Sequence, residues 1–141
     1  MRAILIDPKL QRVVDIELSE RHMLREMHRI IGADTLGHSI ISDKRDELWC
    51  DDLILARGNP CFGFKLGPRD QQVILAGICV VVGNDAGGNS REPFIPIEMI
   101  QNDIDWLGEI IPEVIWTRAP VLRNGKEWVE HQATVTYSRV K

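Results

Sequence analysis

The chain has 141 residues, 44% of them hydrophobic and 27% charged, with a formal net charge of -4. These are values of a globular protein, and they exclude global disorder or low complexity. The mild acidity argues against a nucleic-acid binder that neutralises phosphates, and 17 Lys and Arg against 21 Asp and Glu are too balanced for a DNA mimic.

The elements follow in order. Residues 2–7 (RAILID) form a short apolar strand, Pro8-Lys9 a turn, and residues 12–18 (RVVDIEL) a second strand, an N-terminal hairpin. Ser19 is the expected N-cap of a helix in which Met23, Leu24, Met27, Ile30 and Ile31 recur at helical spacing until Gly32. Residues 38–42 and 48–55 read as the arms of a second hairpin around Asp43–Asp46. Asp51-Asp52 marks a bulge, an edge or an internal turn there. After the loop 57–63 and a short strand at 64–66 comes Val73–Gly88, an almost unbroken apolar run that stops in a glycine-rich loop. It predicts one strand covered on both faces, the innermost of the sheet.

Beyond the glycine loop, Pro96 suits the first turn of a second helix. Ile97, Ile100, Ile104, Leu107 and Ile111 form its stripe, and Gly108 lies near its end. Asn124-Gly125 then sits between two apolar stretches, the strongest short-range hairpin signal. With those two residues as the loop, Leu122 pairs with Glu127, Val121 with Trp128 and Trp116 with Ala133. One face gathers Val114, Trp116, Leu122, Val129, Ala133 and Val135, and Pro120 predicts an irregularity in the first arm. Such a ribbon needs a surface to lie on, supplied by its own domain or by a second copy. The expected fold is one α+β domain with a mixed or mainly antiparallel sheet, two helices and a C-terminal β-hairpin. Residues 1–92 form its core and 93–141 a helix-plus-hairpin extension.

Few residues point to chemistry. Asn84, Asp85, Gly87 and Gly88, with Arg91 nearby, are candidates for a small anionic ligand such as a nucleotide, because glycines let backbone N–H groups approach an anion. The loop lacks the Lys and Ser or Thr of a P-loop, and a solvated connection is the stronger reading. Asn59 and Cys61 in the preceding loop complete the ligand-binding candidates. Cys61 is the most reactive-looking thiol, yet no base is placed beside it by the sequence. His22 and His28 are six residues apart, unsuited to one metal on one helix face, while His38 and His131 stand alone. Cys50, Cys61 and Cys79 are odd in number with no C-x-x-C pair, so they read as free thiols in a reducing cytoplasm. Met1–Ile6 is too short for a secretory leader, so the expected location is the cytosol. No catalytic constellation, metal site or cofactor motif stands out, and no basic helix-turn-helix is visible.

The opening ILIDP, the helix ending in IIG, the GNP turn and the ILAGICVVVG run followed by a glycine loop together resemble an uncharacterised domain-of-unknown-function family. Its small proteins occur widely in bacteria, phages and plasmids. The resemblance covers about residues 1–90. It implies no catalytic residues, only the accessory context of a mobile element in a bacterial cytoplasm. The sequence therefore predicts a non-enzymatic accessory protein that binds a protein partner and self-associates, with an inhibitor of host defence as one form. Trp116, Trp128 and Tyr137 are the interface candidates, since such side chains are enriched at interfaces. A small-ligand or nucleotide-binding protein is the alternative.

Overall fold

The computed structural model of the protein describes residues 1–68 and 70–140. In chain order the elements are β1 (Arg2–Asp7), β2 (Arg12–Glu17), α1 (Met23–Ile31), β3 (Leu36–Ile40), β4 (Glu47–Asp51) and β5 (Cys61–Leu66). There follow β6 (Val73–Ala76), β7 (Cys79–Asn84), β8 (Ser90–Arg91), α2 (Ile97–Asp103), β9 (Ile104–Arg123) and β10 (Lys126–Arg139). One sheet has the order β2-β1-β7-β4-β3 with β8 on the end of β7, the other the order β10-β9-β5-β6. Every strand pair is antiparallel, and the fold is α+β with two helices among the described residues.

The apolar run predicted as one strand is two. Gly77 takes a φ of 75° and turns the chain between β6 and β7, which lie in different sheets. A chain that passes from one stacked sheet to the other needs such a corner, and glycine adopts the conformation without a Cβ penalty. Beyond the corner, Cys79 through Gly83 are all buried, so the expectation of a doubly covered innermost strand holds for β7. Cys79 and Val81 join Ile4, Ile6, Leu48, Phe64, Ile100 and Ile104 in the core between the sheets. Val80 and Val82 face the other way and pack with Ala3, Leu18 and Met27 under α1. The layers are thus α1, the β7 sheet, and the β5 sheet with α2.

The first helix begins later than predicted. His22, not Ser19, is its N-cap residue. Ser19 acts one turn upstream: its Oγ accepts from the His22 N–H at 3.3 Å, and its own N–H donates to Glu26 Oε2 at 3.1 Å. Gly32 ends the helix in the left-handed conformation, as expected. Both N-terminal hairpins form, although β4 stops at Asp51 instead of running to Leu55. There Asp51 Oδ1 accepts the Leu53 N–H and starts a turn.

The larger correction concerns α2, which ends at Asp103, so that Ile104, Leu107 and Ile111 belong to a strand. The register of β9 against β5 shifts between Gly63 and Phe64, where Gly63 pairs with Gly108 and Phe64 with Trp106. Leu107 is the extra residue of a bulge. It brings Ile104, Leu107 and Ile110 to buried positions three apart, a spacing that mimics a helix. Past the bulge Ile110 lies over Gly63, whose missing Cβ leaves room for Ile110 Cδ1.

β5 pairs with β9 only as far as Ile110. From Ile111 to the turn, β9 and β10 run on as a two-stranded ribbon, about 40 Å long at roughly 3.4 Å per residue. Its register is the predicted one, including Leu122 with Glu127, Val121 with Trp128 and Trp116 with Ala133. Asn124 and Gly125 have φ of 51° and 74°, as a type I′ turn requires. The irregularity expected at Pro120 is absent, since Pro120 pairs with Val129 in unbroken register.

A Cβ on Gly77 would stand 2.8 Å from Ile54 Cδ1 at a left-handed φ. Gly77→Ala is expected to cost about 1–2 kcal/mol, read as a lower urea midpoint at unchanged slope.

Candidate functional site

The glycine loop is a tight connection between β7 and β8, and four of its N–H groups, those of Asp85, Gly87, Gly88 and Asn89, are already used. The Asp85 carboxylate accepts the Gly87 N–H at 2.8 Å and the Asn89 N–H at 2.9 Å. The Gly88 N–H donates to the Asp85 carbonyl, and the Asp85 N–H to the Asn89 carbonyl. An anion entering this turn would meet a carboxylate seated on the amides that were its expected ligands.

Arg91 is engaged as well. Its Nη2 donates to the Lys44 carbonyl at 2.9 Å, its Cζ lies 3.3 Å from the centroid of the Phe94 ring, and its Nη1 is 3.9 Å from Asp46 Oδ1. Asp46 is fully buried. Its carboxylate accepts the N–H groups of Phe94 and Ile95 at 2.9 and 2.8 Å and the Ser42 hydroxyl at 3.1 Å. A buried carboxylate persists only when paired and hydrogen-bonded in this way. The geometry therefore makes Arg91 and Asp46 a structural pair that ties the β3–β4 turn to the segment entering α2.

Asn84 points elsewhere. Its Nδ2 donates to Glu47 Oε1 at 2.8 Å, and its buried Oδ1 has no partner among the described residues. Glu47 Oε2 lies 3.9 Å from His38 Nδ1, and the His38 ring stacks on Trp49 with centroids 4.6 Å apart. Trp49 Nε1 is a second buried atom without a partner. His28 Nδ1 bonds the Ala33 carbonyl at 2.8 Å below the end of α1, and His131 sits opposite Arg118 on the ribbon. Among the described residues no three His, Cys, Asp or Glu side chains gather as metal ligands.

Cys61 opens β5 in the other sheet and Asn59 lies in the loop just before it, so the sequence-predicted ligand residues form two separate groups. Cys61 lines an apolar cleft of about 480 Å³ with Leu10, Ile54, Phe62 and Ile78. Burial, and then the Glu109 carboxylate, push its thiol pKa up, the reverse of what activates a nucleophile. A larger cleft of about 540 Å³ opens where Ile40 and Ile41 meet Val73, Met99 and Ile100, with Asp43 and Asp103 in its lining. None of the predicted site residues lines it. Its signal was hidden because it joins segments far apart in the sequence.

The interface candidates lie on the ribbon. Trp116 is 68% exposed and Trp128 59%, with Leu122 at 73% and Val129 at 54% beside them. Direct cross-strand partners share a face. Trp116, Leu122 and Val129 therefore lie on one face with Pro112, Val114 and Tyr137, and Trp128 on the other with Ile115 and Val121. Tyr137 sits near the base, its ring 5.6 Å from Lys65 Nζ. Ile111, Ile115, Trp116, Leu122, Trp128 and Val129 are all exposed on the ribbon, a concentration of apolar side chains of the kind that marks an interaction surface. No family model matches the chain, and neither a curated protein nor a solved structure matches it significantly. Among the described residues no helix is long and apolar enough to cross a membrane.

The thiols allow a test of these environments. Cys50 is raised by burial and then by Asp52 and Asp51, and Cys79 by burial and then by Cys50. Their ordinary value is 9.0. Alkylation of native Cys50 and Cys61 is expected to be slower at pH 8 than in the unfolded chain and to keep rising beyond the pH at which the unfolded chain levels off, with Cys79 labelled on unfolding alone. Because the folded state holds these protons more tightly, their contribution to stability is complete below pH 9 and declines as pH rises further. Native labelling at the unfolded rate would contradict the burial.

Proposed function

We propose that this protein is a non-enzymatic accessory protein of mobile-element type that acts in the cytoplasm by binding a protein partner through the β9–β10 ribbon. Inhibition of a host defence system is one form this takes. The observation that carries the reading is the ribbon itself. It leaves the body at Ile111 and keeps Trp116, Leu122, Trp128 and Val129 more than half exposed. Burying large apolar side chains is worth roughly 1.5–3 kcal/mol each, and tryptophan in particular anchors interfaces. A folded protein that exposes this much apolar side chain on a projecting element gains most by covering it with another chain.

The small-ligand alternative has less support at the glycine turn, where Gly87 and Asn89 donate to Asp85. A nucleotide panel is expected to leave the melting temperature unchanged. A ligand at a hundred times its Kd would instead stabilise by about 2.7 kcal/mol.

The ribbon reading is tested by capture. Full-length protein is immobilised beside the Trp116→Asp/Leu122→Asp variant, and the proteins retained from a bacterial lysate are compared by mass spectrometry. Both side chains are exposed, so stability is expected to shift by no more than about 0.5 kcal/mol per site. At least one protein should be retained tenfold less by the variant. Identical retention by the two would remove the ribbon's apolar face as the binding surface.

A further inference from the structure

The two long edges of the ribbon differ chemically. In the hairpin, Arg123 and Lys126 flank the two-residue turn, and such a loop closes on a hydrogen-bonded pair. Bonded pairs then recur at every second rung, so even-numbered residues of β10 bond inward to β9. The Val140 N–H donating to the Glu109 carbonyl at 3.0 Å keeps that parity at the base. The rungs between them, Pro120 with Val129 and Pro112 with Tyr137, are those whose backbone groups point outward.

Pro120 therefore lacks an N–H group where the free edge of β9 would offer one, a device that blocks edge pairing, and Pro112 has the same parity nearer the body, its carbonyl facing Gly58. β10 holds no proline, and it is the outermost strand of its sheet. Among the described residues, the outward N–H and C=O groups of Glu127, Val129, His131, Ala133, Val135, Tyr137 and Arg139 have no strand beyond them. One edge of the ribbon is guarded and the other is open.

We propose that the open edge of β10 pairs antiparallel with β10 of a second copy of this chain, about a two-fold axis at Ala133. The outward-pointing residues form the hydrogen-bonded pairs of such a seam, and the even-numbered residues stand opposite one another on the rungs between them. The register centred on Ala133 sets Glu127 against Arg139 of the second copy and Val129 against its Tyr137, twice each by symmetry, with the small Ala133 facing itself. Moving the centre by one residue in either direction separates both pairs. The result is a four-stranded sheet in which the apolar faces of the two ribbons run together. The inference rests on the ribbon being the binding element and deepens that reading: the edge joins two copies, and the joined face meets the partner.

Two independent measurements test the seam on the full-length chain. In a hydrogen-bonded antiparallel pair the two Cα atoms stand about 5.5 Å apart, within the ~4.4–6.8 Å that a disulfide spans. Ala133→Cys is expected to yield a crosslinked dimer under mild oxidation, with the bond mapped to residue 133 by mass spectrometry. The parent chain and a Glu130→Cys variant are expected to yield none at the matching position. Separately, Arg139→Glu and Glu127→Arg should each weaken dimerisation at least tenfold in sedimentation equilibrium, and the double exchange should restore it.

A parent chain that stays monomeric at 100 µM overturns the seam, with the 133 crosslink absent. So does a dimer that is indifferent to both charge changes, and so does a strand from a foreign protein occupying the edge of a monomer. None of these results touches the apolar face, whose own test is the Trp116→Asp/Leu122→Asp capture. The two ideas therefore fail separately.

Discussion

Both sheets depend on the corner at Gly77. The residues on either side of it are apolar enough to form one continuous strand, but that strand would serve one sheet and leave the other without its β6 edge. The left-handed φ at Gly77 divides the run, so that β6 completes the sheet of β5 and β9 while β7 becomes the centre of the other. β7 pairs with β1, β4 and β8, and its alternating valines feed the cores on its two faces. Burial on both sides gives this strand more of the hydrophobic free energy of folding than an edge strand receives. It also fixes register, because a slip by one residue would exchange the face under α1 for the face under β5.

The second constraint is polar. Asp46 lies buried among apolar neighbours, and an unpaired carboxylate there would be expensive. Two backbone N–H groups, one hydroxyl and Arg91 satisfy it. In doing so they pin residues 94 and 95, the approach to α2, onto the turn after β3. Arg91 is held in turn by the Lys44 carbonyl and the Phe94 ring. The same residue drew notice in the sequence as an arginine beside a glycine loop. Its placement shows why that pattern is ambiguous: the loop fills its own amides with Asp85, and the arginine serves a carboxylate 45 residues earlier in the chain.

Local signals were legible where the local rule also governed the outcome. The Asn124-Gly125 turn set the register of the whole ribbon, and Gly32 ended α1. Signals failed where a distant partner decided. The stripe through Ile104 and Leu107 has helical spacing because a bulge opposite Gly63 adds Leu107 to the strand, Ile110 and not Ile111 is the next buried residue, and no property of residues 97–111 reveals that β5 lies alongside. Gly77 was visible as an interior glycine, but whether it marks a bulge, a close approach or a corner depends on a second sheet. The ligand candidates show the same division. Asn84, Asp85, Gly87, Gly88 and Arg91 share one region because they are near in sequence, whereas Cys61 went to the other sheet and Asn59 to the loop that leads into it.

The prolines of β9 connect these levels. In the sequence, Pro120 reads as a break in a strand. In the fold it breaks nothing, because its missing N–H falls on a rung whose outward side makes no bond to β10. A proline placed one residue later would remove an inward bond and part the hairpin. Parity therefore matters more than presence, and both Pro112 and Pro120 have the parity that spares the hairpin, while Pro120 closes its outer edge. β10, of comparable length and equally far from the body, carries Val, Thr and Tyr at positions that favour strands and no such guard. An unguarded edge of this length is an aggregation hazard for a chain that remains alone. The asymmetry is accounted for if the open edge has a regular occupant, and a self-complementary pairing of Glu127 with Arg139 supplies one from the same gene product.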